Sequence, residues 1–344
     1  MAQALGGNCG EDAVVAGVTH ARTMPVSASP FSVEAGPLPR AKFANSHVTA
    51  TGEPRATVPL IALETLWFNT GTLCNLACAT CYIESSPTNN ALIYLTAAEV
   101  ARFLDEISDG NFATREIGFT GGEPFMNREI MAMLGMALNR GHEVLILTNA
   151  MKPLRRHEAA LLALLENYGA RLTLRVSLDH YSPAVHEAER GARSWAPALD
   201  GLKWLSTNKF SIAVAGRHLA EESDADARAG YAALFADHGI VIDAHDPARL
   251  VLFPEMDATA DVPEITNSCW DILGKSSADV MCATSRMVVH RRGQDHARVL
   301  ACTLIPYDRG FDLGATIVDA TRPVALNHPH CARFCVLGGA SCSG

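Results

Sequence analysis

The stretch NTGTLCNLACATCYIESS, residues 69–86, brings three cysteines close together: Cys74, Cys78 and Cys81. It follows Glu64–Asn69, a segment with the apolar composition of a buried strand. Three thiolates on one short loop can hold three irons of a 4Fe–4S cluster and leave the fourth iron open. A zinc ion would need a fourth Cys or His nearby, and the loop does not contain one. The spacing alone leaves an iron–sulfur cluster, a zinc site and three unrelated core cysteines all possible.

Strand-like and helix-like segments alternate from about residue 61 to residue 243. The predicted strands are Glu64–Asn69, Glu116–Phe119, Glu143–Leu147, Arg171–Ser177, Ser211–Ala215 and Ile240–Asp243. The predicted helices are Ala97–Ile107, Arg128–Asn139, Leu154–Asn167, Pro197–Ser206 and Ala225–Asp237, with Thr96 and Glu99 as a capping box before the first and Gly141 ending the second. Repeated βα units imply parallel strands with right-handed crossovers. We therefore predict an α/β fold: a partial (β/α)6 TIM-type barrel with a small cysteine-rich C-terminal extension.

The two ends of the chain differ from this central region. Residues 1–55 are rich in small and polar residues and are expected to form a loose N-terminal extension. Residues 266–344 are dense in Cys, Gly, Pro and His and have few long periodic segments. A region of this kind lacks enough core to fold alone and commonly needs a metal.

Composition excludes several classes of function. The 344 residues include 28 Lys and Arg against 37 Asp and Glu, a formal net charge of −9, and contain no basic cluster for nucleic acid or an anionic membrane. There is no apolar run long enough to span a bilayer and no secretory signal, so we expect a soluble cytoplasmic protein. In that setting ten cysteines indicate metal ligands or catalytic groups rather than disulfides.

A second motif, FTGGEPF, stands at the end of the second predicted strand and contains Gly121, Gly122, Glu123 and Pro124. Adjacent glycines let the backbone approach a ligand closely, and Glu123 offers an acceptor for an ammonium group. A lone GGEP is most often just a turn. Its position at a strand end, following the cysteine loop in the chain, is what makes it informative, because strand ends face the active site of such a barrel.

Together the two motifs resemble the radical S-adenosylmethionine (SAM) superfamily, over about residues 61–245. The resemblance implies that Cys74, Cys78 and Cys81 hold a 4Fe–4S cluster whose open iron is chelated by SAM. It further implies that Glu123, with Gly121, Gly122 and Pro124, holds the SAM amino group, and that the main chain at Tyr82 faces the adenine. The chain would then divide into an extension (1–55), a radical SAM barrel (56–250) and a cysteine-rich region (251–344).

Three further SAM contacts are expected from the resemblance. Asn149 follows the third strand, Ser177 ends the fourth, and Arg190 lies after it, where its planar fork suits a carboxylate. Each residue type also serves commonly as a helix cap or a solvated charge, so these three assignments depend on where the fold places the side chains.

The tail carries Cys269, Cys282, Cys302, Cys331, Cys335 and Cys342, and the stretch MVVHRRGQDHARVLAC reads as a hairpin turning near Gly293. This arrangement resembles the SPASM and twitch extensions, which hold auxiliary 4Fe–4S clusters. The ligand set implied is Cys282, Cys302, Cys331 and Cys335, with Cys342 able to replace one of them. Cys269 is a ligand, a core residue or neither, and Cys9 a free thiol. His328 and His330 keep a zinc-stapled tail as an alternative.

The resemblance implies an oxidative modification: reductive cleavage of SAM to a 5′-deoxyadenosyl radical that removes hydrogen from a substrate. A one-electron donor such as flavodoxin or ferredoxin would be required. Arg217, Glu255 and Asp257 are candidate substrate contacts, or ordinary surface charges. The N-terminal extension looks too short for a leader-binding domain, which favours a small molecule, or a peptide recognised elsewhere. The alternative is a non-catalytic binding protein whose cysteines only hold a structural metal.

Overall fold

The computed structural model describes residues 36–219, 222–254, 257 and 259–339. Its strands are β1 (Thr57–Val58), β2 (Thr65–Asn69), β3 (Glu116–Thr120), β4 (Glu143–Thr148), β5 (Leu172–Ser177), β6 (Ser211–His218), β7 (Leu250–Pro254), β8 (Ser285–Val289), β9 (Arg298–Leu300), β10 (Asp312–Gly314) and β11 (Val324–Ala325). Its helices are α1 (Ala97–Asp109), α2 (Ile130–Asn139), α3 (Lys152–Arg155), α4 (Glu158–Tyr168), α5 (Pro183–Arg190), α6 (Trp195–Thr207), α7 (Asp224–His238), α8 (Ser268–Leu273) and the π-helix Cys331–Leu337.

A mixed sheet of nine strands forms the centre of the molecule, in the order β10-β9-β8-β2-β3-β4-β5-β6-β7. The strands from β2 to β7 are all parallel to their neighbours, as βα units require. No pairing between the first and last strands of this sheet closes it within the described residues. The predicted partial α/β barrel is therefore confirmed.

Burial explains why these segments are strands. Every residue of β2 and β3 is buried, because parallel strands are covered by the helices on one face and by the barrel interior on the other. Inside the barrel, the ring of Trp67 on β2 occupies the space that a side chain at Gly118 on β3 would fill. The predicted capping box of α1 also forms, with Thr96 and Glu99 each accepting a hydrogen bond from the other's backbone.

The sixth predicted strand was wrong. Ile240–Asp243 is irregular, and Val241 is 85% exposed, whereas a strand of this sheet would bury it. The strand that pairs with β6 is β7, Leu250–Pro254. It lies at the edge of the sheet, where a proline at the strand end costs no ladder hydrogen bond.

The cysteine-rich extension continues the barrel sheet. The predicted hairpin forms from β8 and β9, and Gly293 between them has the positive φ of 80° that its turn requires. Strand β8 also pairs in parallel with β2, so the hairpin extends the sheet on the side of the first barrel strand. The proposed boundary at residue 250 falls at the start of β7, which belongs to the barrel sheet.

Residues 36–55, expected to be loose, pack against the extension. Arg55 is 3% exposed and forms an ion pair with Glu264, while Lys42 pairs with Asp261 at 2.7 Å. Strand β1 then pairs with β11. These contacts are made by residues far apart in sequence, so local periodicity does not predict them. Among the described residues, no helix has both the length and the apolar character needed to cross a membrane.

Candidate active site

A cavity with about 1180 Å³ of empty space, part of it open to solvent, lies at the C-terminal ends of the barrel strands. Because parallel strands end at one edge of the sheet, residues distant in sequence meet there. Most of the predicted site residues line this cavity: Cys74, Cys78, Cys81, Tyr82, Gly121, Gly122, Asn149, Ser177 and Arg190. Glu123 and Pro124 do not line it and lie buried behind its wall.

The cysteine loop is shaped by hydrogen bonds to its own sulfur atoms and to its neighbours. The backbone N–H groups of Leu76 and Ser85 donate to the sulfurs of Cys74 and Cys81, each at 3.4 Å. Hydrogen bonds to the sulfurs are among the features that tune an iron–sulfur cluster. The sulfurs therefore already receive the kind of bond that supports a thiolate ligand.

Burial, with a smaller contribution from the negative charges of Glu123, Cys78 and Cys81, raises the pKa of the Cys74 thiol to about 12. Burial likewise raises the pKa of Cys78. Thiols in this environment stay protonated until a cation replaces the proton, which is how metal ligands behave. The loop therefore fits a cationic iron–sulfur core.

The two glycines of GGEP pack against the cysteine loop itself. The N–H of Gly122 donates to the carbonyl oxygen of Gly71 at 2.8 Å, and the N–H of Glu123 donates to that of Leu73 at 3.1 Å. A Cβ at Gly122 would lie 2.2 Å from the Leu73 oxygen. The close approach inferred from the sequence therefore includes the loop that carries the cysteines.

The carboxylate of Glu123 is 1% exposed and already has three donors. It accepts hydrogen bonds from the Thr148 hydroxyl and the Asn149 N–H, both at 2.9 Å, and from the Phe125 N–H at 3.2 Å. Burial nevertheless raises its pKa to about 7. Glu123 thus ties the end of β3 to the end of β4, directly under the cavity.

Arg190 forms two parallel hydrogen bonds with Asp179, from Nε to Oδ2 and from Nη2 to Oδ1, each 2.9 Å. Burial alone would raise the pKa of Asp179, but the charge and hydrogen bonds of Arg190, with the charge of Arg217, lower it below its usual value. The planar fork expected to hold the SAM carboxylate is therefore occupied by Asp179 in this structure.

A latch of three residues connects the cysteine loop to α5 and β6. The Thr80 hydroxyl donates to Glu189 at 2.6 Å, and Arg217 donates to the carbonyl oxygen of Thr80 at 3.3 Å. The guanidinium of Arg217 also lies 3.8 Å from the Glu189 carboxylate. Arg217, a candidate substrate contact, lines the cavity. Asp257 instead accepts hydrogen bonds from the N–H groups of its neighbours Thr259 and Ala260. Glu255 lies outside the described residues.

A second, smaller cavity lies in the extension. It is lined by all four cysteines of the predicted auxiliary set: Cys282, Cys302, Cys331 and Cys335. Burial raises the pKa of Cys282 to about 11 and those of Cys302 and Cys331 well above the usual thiol value. The proposed alternative ligand, Cys342, lies outside the described residues, as does Cys9.

The other candidate metal ligands of the tail are placed differently. Cys269 is buried in the hydrophobic core, does not line the second cavity and accepts a hydrogen bond from the Thr266 N–H. His330 lines that cavity. Within residues 36–339 as described, no three His, Cys, Asp or Glu side chains converge to hold a single metal ion.

The sequence profile of the radical SAM superfamily matches residues 68–225, from the end of β2 into α7. This region belongs to the radical SAM superfamily. Enzymes of the family use a 4Fe–4S cluster and SAM. The predicted family is thus confirmed for this region, and SAM with one 4Fe–4S cluster are the cofactors of that family. The auxiliary cluster and the roles of individual residues stay predictions.

Relatives of the radical SAM domain include the antilisterial bacteriocin subtilosin biosynthesis protein AlbA of Bacillus subtilis (strain 168), 32% identical over 169 residues. That match covers 49% of this chain and 35% of AlbA, so the chain spans about a third of the relative's length. Streptococcus suis SuiB, solved with its precursor peptide SuiA, has a TM-score of 0.54 at 13% identity, covering 75% and 63% of the two chains. The enzyme anSMEcpe, solved with AdoMet and the Cp18Cys peptide, has a TM-score of 0.51 at 14% identity, covering 74% and 79%.

Several lining residues were not predicted. Arg175 precedes Ser177 by two positions on β5, and since side chains alternate along a strand, this spacing indicates that both face the interior. Phe253, Pro254, Leu304 and Phe334 form an apolar part of the wall. Phe253 was missed because the sixth strand was misplaced. Leu304 and Phe334 come from the extension, and no local pattern connects them with the barrel.

Proposed function

We propose that this chain is a radical SAM enzyme that oxidatively modifies a peptide, with its cluster on Cys74, Cys78 and Cys81 and an auxiliary cluster in the extension. One observation carries the proposal: the cavity that contains the three cysteines and the predicted SAM residues extends to Leu304 and Phe334 of the extension. The alternative, a metal-stapled binding protein, gives no reason for the SAM residues and the cysteines to share one cavity.

The residues around the cysteine loop would hold SAM from several strands. Gly121 and Gly122 present backbone groups from the end of β3, Asn149 follows β4, and Ser177 ends β5. The amide of Asn149 donates to the side-chain oxygen of Asn75 in the cysteine loop at 3.0 Å, so the loop and the strand ends are held as one unit. Glu123 would act on SAM chiefly by fixing Thr148 and Asn149 from below.

Cys74, Cys78 and Cys81 would hold a 4Fe–4S cluster, which would supply the electron that cleaves SAM to methionine and a 5′-deoxyadenosyl radical able to take a hydrogen atom from the substrate. The chain's residues would hold the reacting groups together in one cavity. Arg190, Asp179 and Arg217 form a charged wall. The cavity is also lined by three apolar residues, Ile83, Leu147 and Phe253. The electron would come from a flavodoxin or a ferredoxin.

A peptide is the substrate class that the relatives support. AlbA takes part in subtilosin biosynthesis, and SuiB and anSMEcpe were solved with peptides bound. The cavity is open to solvent and combines an apolar wall with charged side chains, which suits one side chain of a longer chain that remains partly outside. This supports a peptide over the small molecule that the sequence alone favoured.

The auxiliary cluster would be held by Cys282, Cys302, Cys331 and Cys335. Leu304 lines both cavities, and its N–H donates to the sulfur of Cys302 at 3.3 Å. Phe334 lies between Cys331 and Cys335 on the π-helix and lines the larger cavity, where it stacks on Phe253 at 5.6 Å. The two cavities are therefore neighbours, as an oxidative reaction that uses a second redox group would require.

The test is anaerobic iron–sulfur reconstitution, followed by incubation with SAM and dithionite and assay of 5′-deoxyadenosine. We expect the product from the wild-type chain and none after Cys74→Ala, Cys78→Ala or Cys81→Ala. Cys269→Ala is the matched control, because this buried cysteine lines neither cavity and should leave iron content and product unchanged. A fully loaded wild-type protein that binds no SAM would contradict the proposal.

The auxiliary site is tested on the variant lacking Cys74, Cys78 and Cys81. We expect this protein to retain iron after reconstitution and to lose it when Cys331 and Cys335 are also replaced by Ala. Zinc in place of residual iron would establish the zinc-stapled tail instead.

A further inference from the structure

Arg286, the second residue of β8, is buried next to the auxiliary cavity. It is 1% exposed and donates four hydrogen bonds, all to backbone carbonyl oxygens: Nε to Ala320 at 2.8 Å, Nη1 to Cys282 at 2.6 Å and to Ser285 at 2.7 Å, and Nη2 to Arg322 at 3.4 Å. The guanidinium is therefore fixed in place, with its donors directed at neutral acceptors.

Among the described residues, the guanidinium of Arg286 has no carboxylate as a counter-charge. Two other buried arginines have one: Arg55 pairs with Glu264, and Arg291 pairs with Asp312 at 2.8 Å. Among the described residues, no carboxylate forms a salt bridge with Arg286. Carbonyl dipoles satisfy the hydrogen bonds of a buried cation, but they do not neutralise its charge, and an uncompensated buried charge is strongly unfavourable.

Arg286 lies beside the auxiliary cysteines: its Nη1 donates to the Cys282 carbonyl oxygen at 2.6 Å, and the negative charges of the Cys282 and Cys302 thiolates act on its guanidinium. Both belong to the proposed auxiliary ligand set. A 4Fe–4S cluster with four thiolate ligands is an anion, because the thiolates outweigh the positive charge of the iron–sulfide core, and reduction adds another negative charge. A fixed cation beside such a cluster favours the reduced state, and local charge is one of the features that set cluster potentials.

We propose that Arg286 is the counter-charge of the auxiliary cluster, holding its reduction potential higher than the same four cysteines would give alone. The inference rests on the proposed auxiliary site and adds a residue that poises it. Arg286 does not ligate iron in this proposal. It acts through the charge that β8 holds beside Cys282 and Cys302.

The experiment is a redox titration of the reconstituted full chain, followed by electron paramagnetic resonance. The barrel cluster is assigned as the signal that changes on adding SAM, and the auxiliary cluster as the signal that does not. In Arg286→Gln, which keeps donors for the carbonyls without the charge, and in Arg286→Met, we expect the auxiliary midpoint to become more negative while the barrel midpoint stays fixed. Arg286→Lys keeps the positive charge, so the midpoint of its auxiliary cluster should lie close to that of the wild type.

Arg291→Met is the matched control, since it removes a buried arginine of the same hairpin that has its own carboxylate, and it should leave the auxiliary midpoint unchanged. A neutral Arg286 variant with full iron and a wild-type midpoint overturns the inference. A wild-type chain without a second cluster overturns the proposed auxiliary site itself, and the inference with it, so the two failures are distinguishable.

Thermal unfolding tests the same idea even where a neutral variant folds poorly. In the iron-free protein the charge of Arg286 has no partner, so Arg286→Met should be less harmful there than in the iron-loaded protein. An equal loss of melting temperature in both forms would identify a merely structural arginine and overturn the inference.

Discussion

A Cβ atom placed on Gly122 would lie 2.2 Å from the carbonyl oxygen of Leu73, the residue that precedes the first cluster cysteine. The contact is between two backbones, so neither side can yield by rotating a side chain. The GGEP turn and the cysteine loop are therefore packed together and cannot move independently. The position of Cys74 depends on what occupies position 122.

Gly122→Ala should therefore displace the cysteine loop. We expect a loss of stability of about 2 kcal/mol or more, since overpacking against the backbone relaxes poorly, and several-fold less iron retained per chain. Melting temperature and iron content measure the two effects. Gly135→Ala is the control: its Cβ meets nothing within 4 Å on helix α2, so it should keep full iron and slightly raise stability.

Asp179→Asn should show how strongly the charged wall depends on one carboxylate. The change leaves Arg190 and Arg217 without their shared partner in a largely buried setting. We expect a loss of roughly 3 kcal/mol in the free energy of unfolding, measured by urea denaturation. Asp200→Asn is the comparison, because its side chain is 73% exposed and its pair with Arg155 should contribute little. Equal effects of the two substitutions would refute this account of the wall.

Thr80→Val removes the hydroxyl that the latch uses and keeps the shape of the side chain. Because Thr80 lies between Cys78 and Cys81, its hydrogen bond to Glu189 should restrain both thiols. In the iron-free protein we expect these two cysteines to react several-fold faster with a maleimide, as measured by mass spectrometry. Thr88→Val, whose hydroxyl contacts Ser86 outside the latch, should leave the rate unchanged. Unaltered labelling in Thr80→Val would show that the latch does not hold the loop.

His186 predicts a pH dependence of stability. The side chain is fully buried, and burial lowers its pKa to about 4, with the charges of Arg190 and His180 acting in the same direction and those of Asp179 and Glu187 opposing them. The folded protein therefore keeps this histidine neutral where the unfolded chain protonates it. Stability is full above the unfolded pKa and is lost as pH falls toward 4, by about 2 kcal/mol at pH 5.

Urea denaturation of the iron-free protein between pH 7.5 and pH 5 measures how the free energy of unfolding changes with the protonation of His186. His186→Phe, which can pack against Trp195 as the imidazole does, should lose about 2 kcal/mol less than wild type over that range. His238→Gln, on an exposed residue at the end of α7, should retain the wild-type pH dependence. Parallel pH profiles for wild type and His186→Phe would rule out His186 as the source.

The sequence by itself determined the features of this protein that depend on residues close together in the chain. Cys74, Cys78 and Cys81 stand on one loop after a buried strand, and GGEP stands after the next. The alternation of strands and helices predicted the barrel, and the resemblance carried by the two motifs predicted the site residues. The hairpin around Gly293 was equally local. The barrel was predicted correctly, and most of the predicted site residues line one cavity, because a parallel barrel sends the ends of successive strands to one face, whatever lies between them.

The tertiary structure decided what depends on partners distant in sequence. Ile240–Asp243 and Leu250–Pro254 have similar apolar patterns, and only pairing with β6 selects the second as a strand. Thr80 is held by Glu189 from more than 100 residues away. Arg286 is an unremarkable strand residue until the fold buries it beside Cys282 and Cys302. A sequence pattern reports that a side chain is buried, but burial partners, and hence charge balance, exist only in the folded chain.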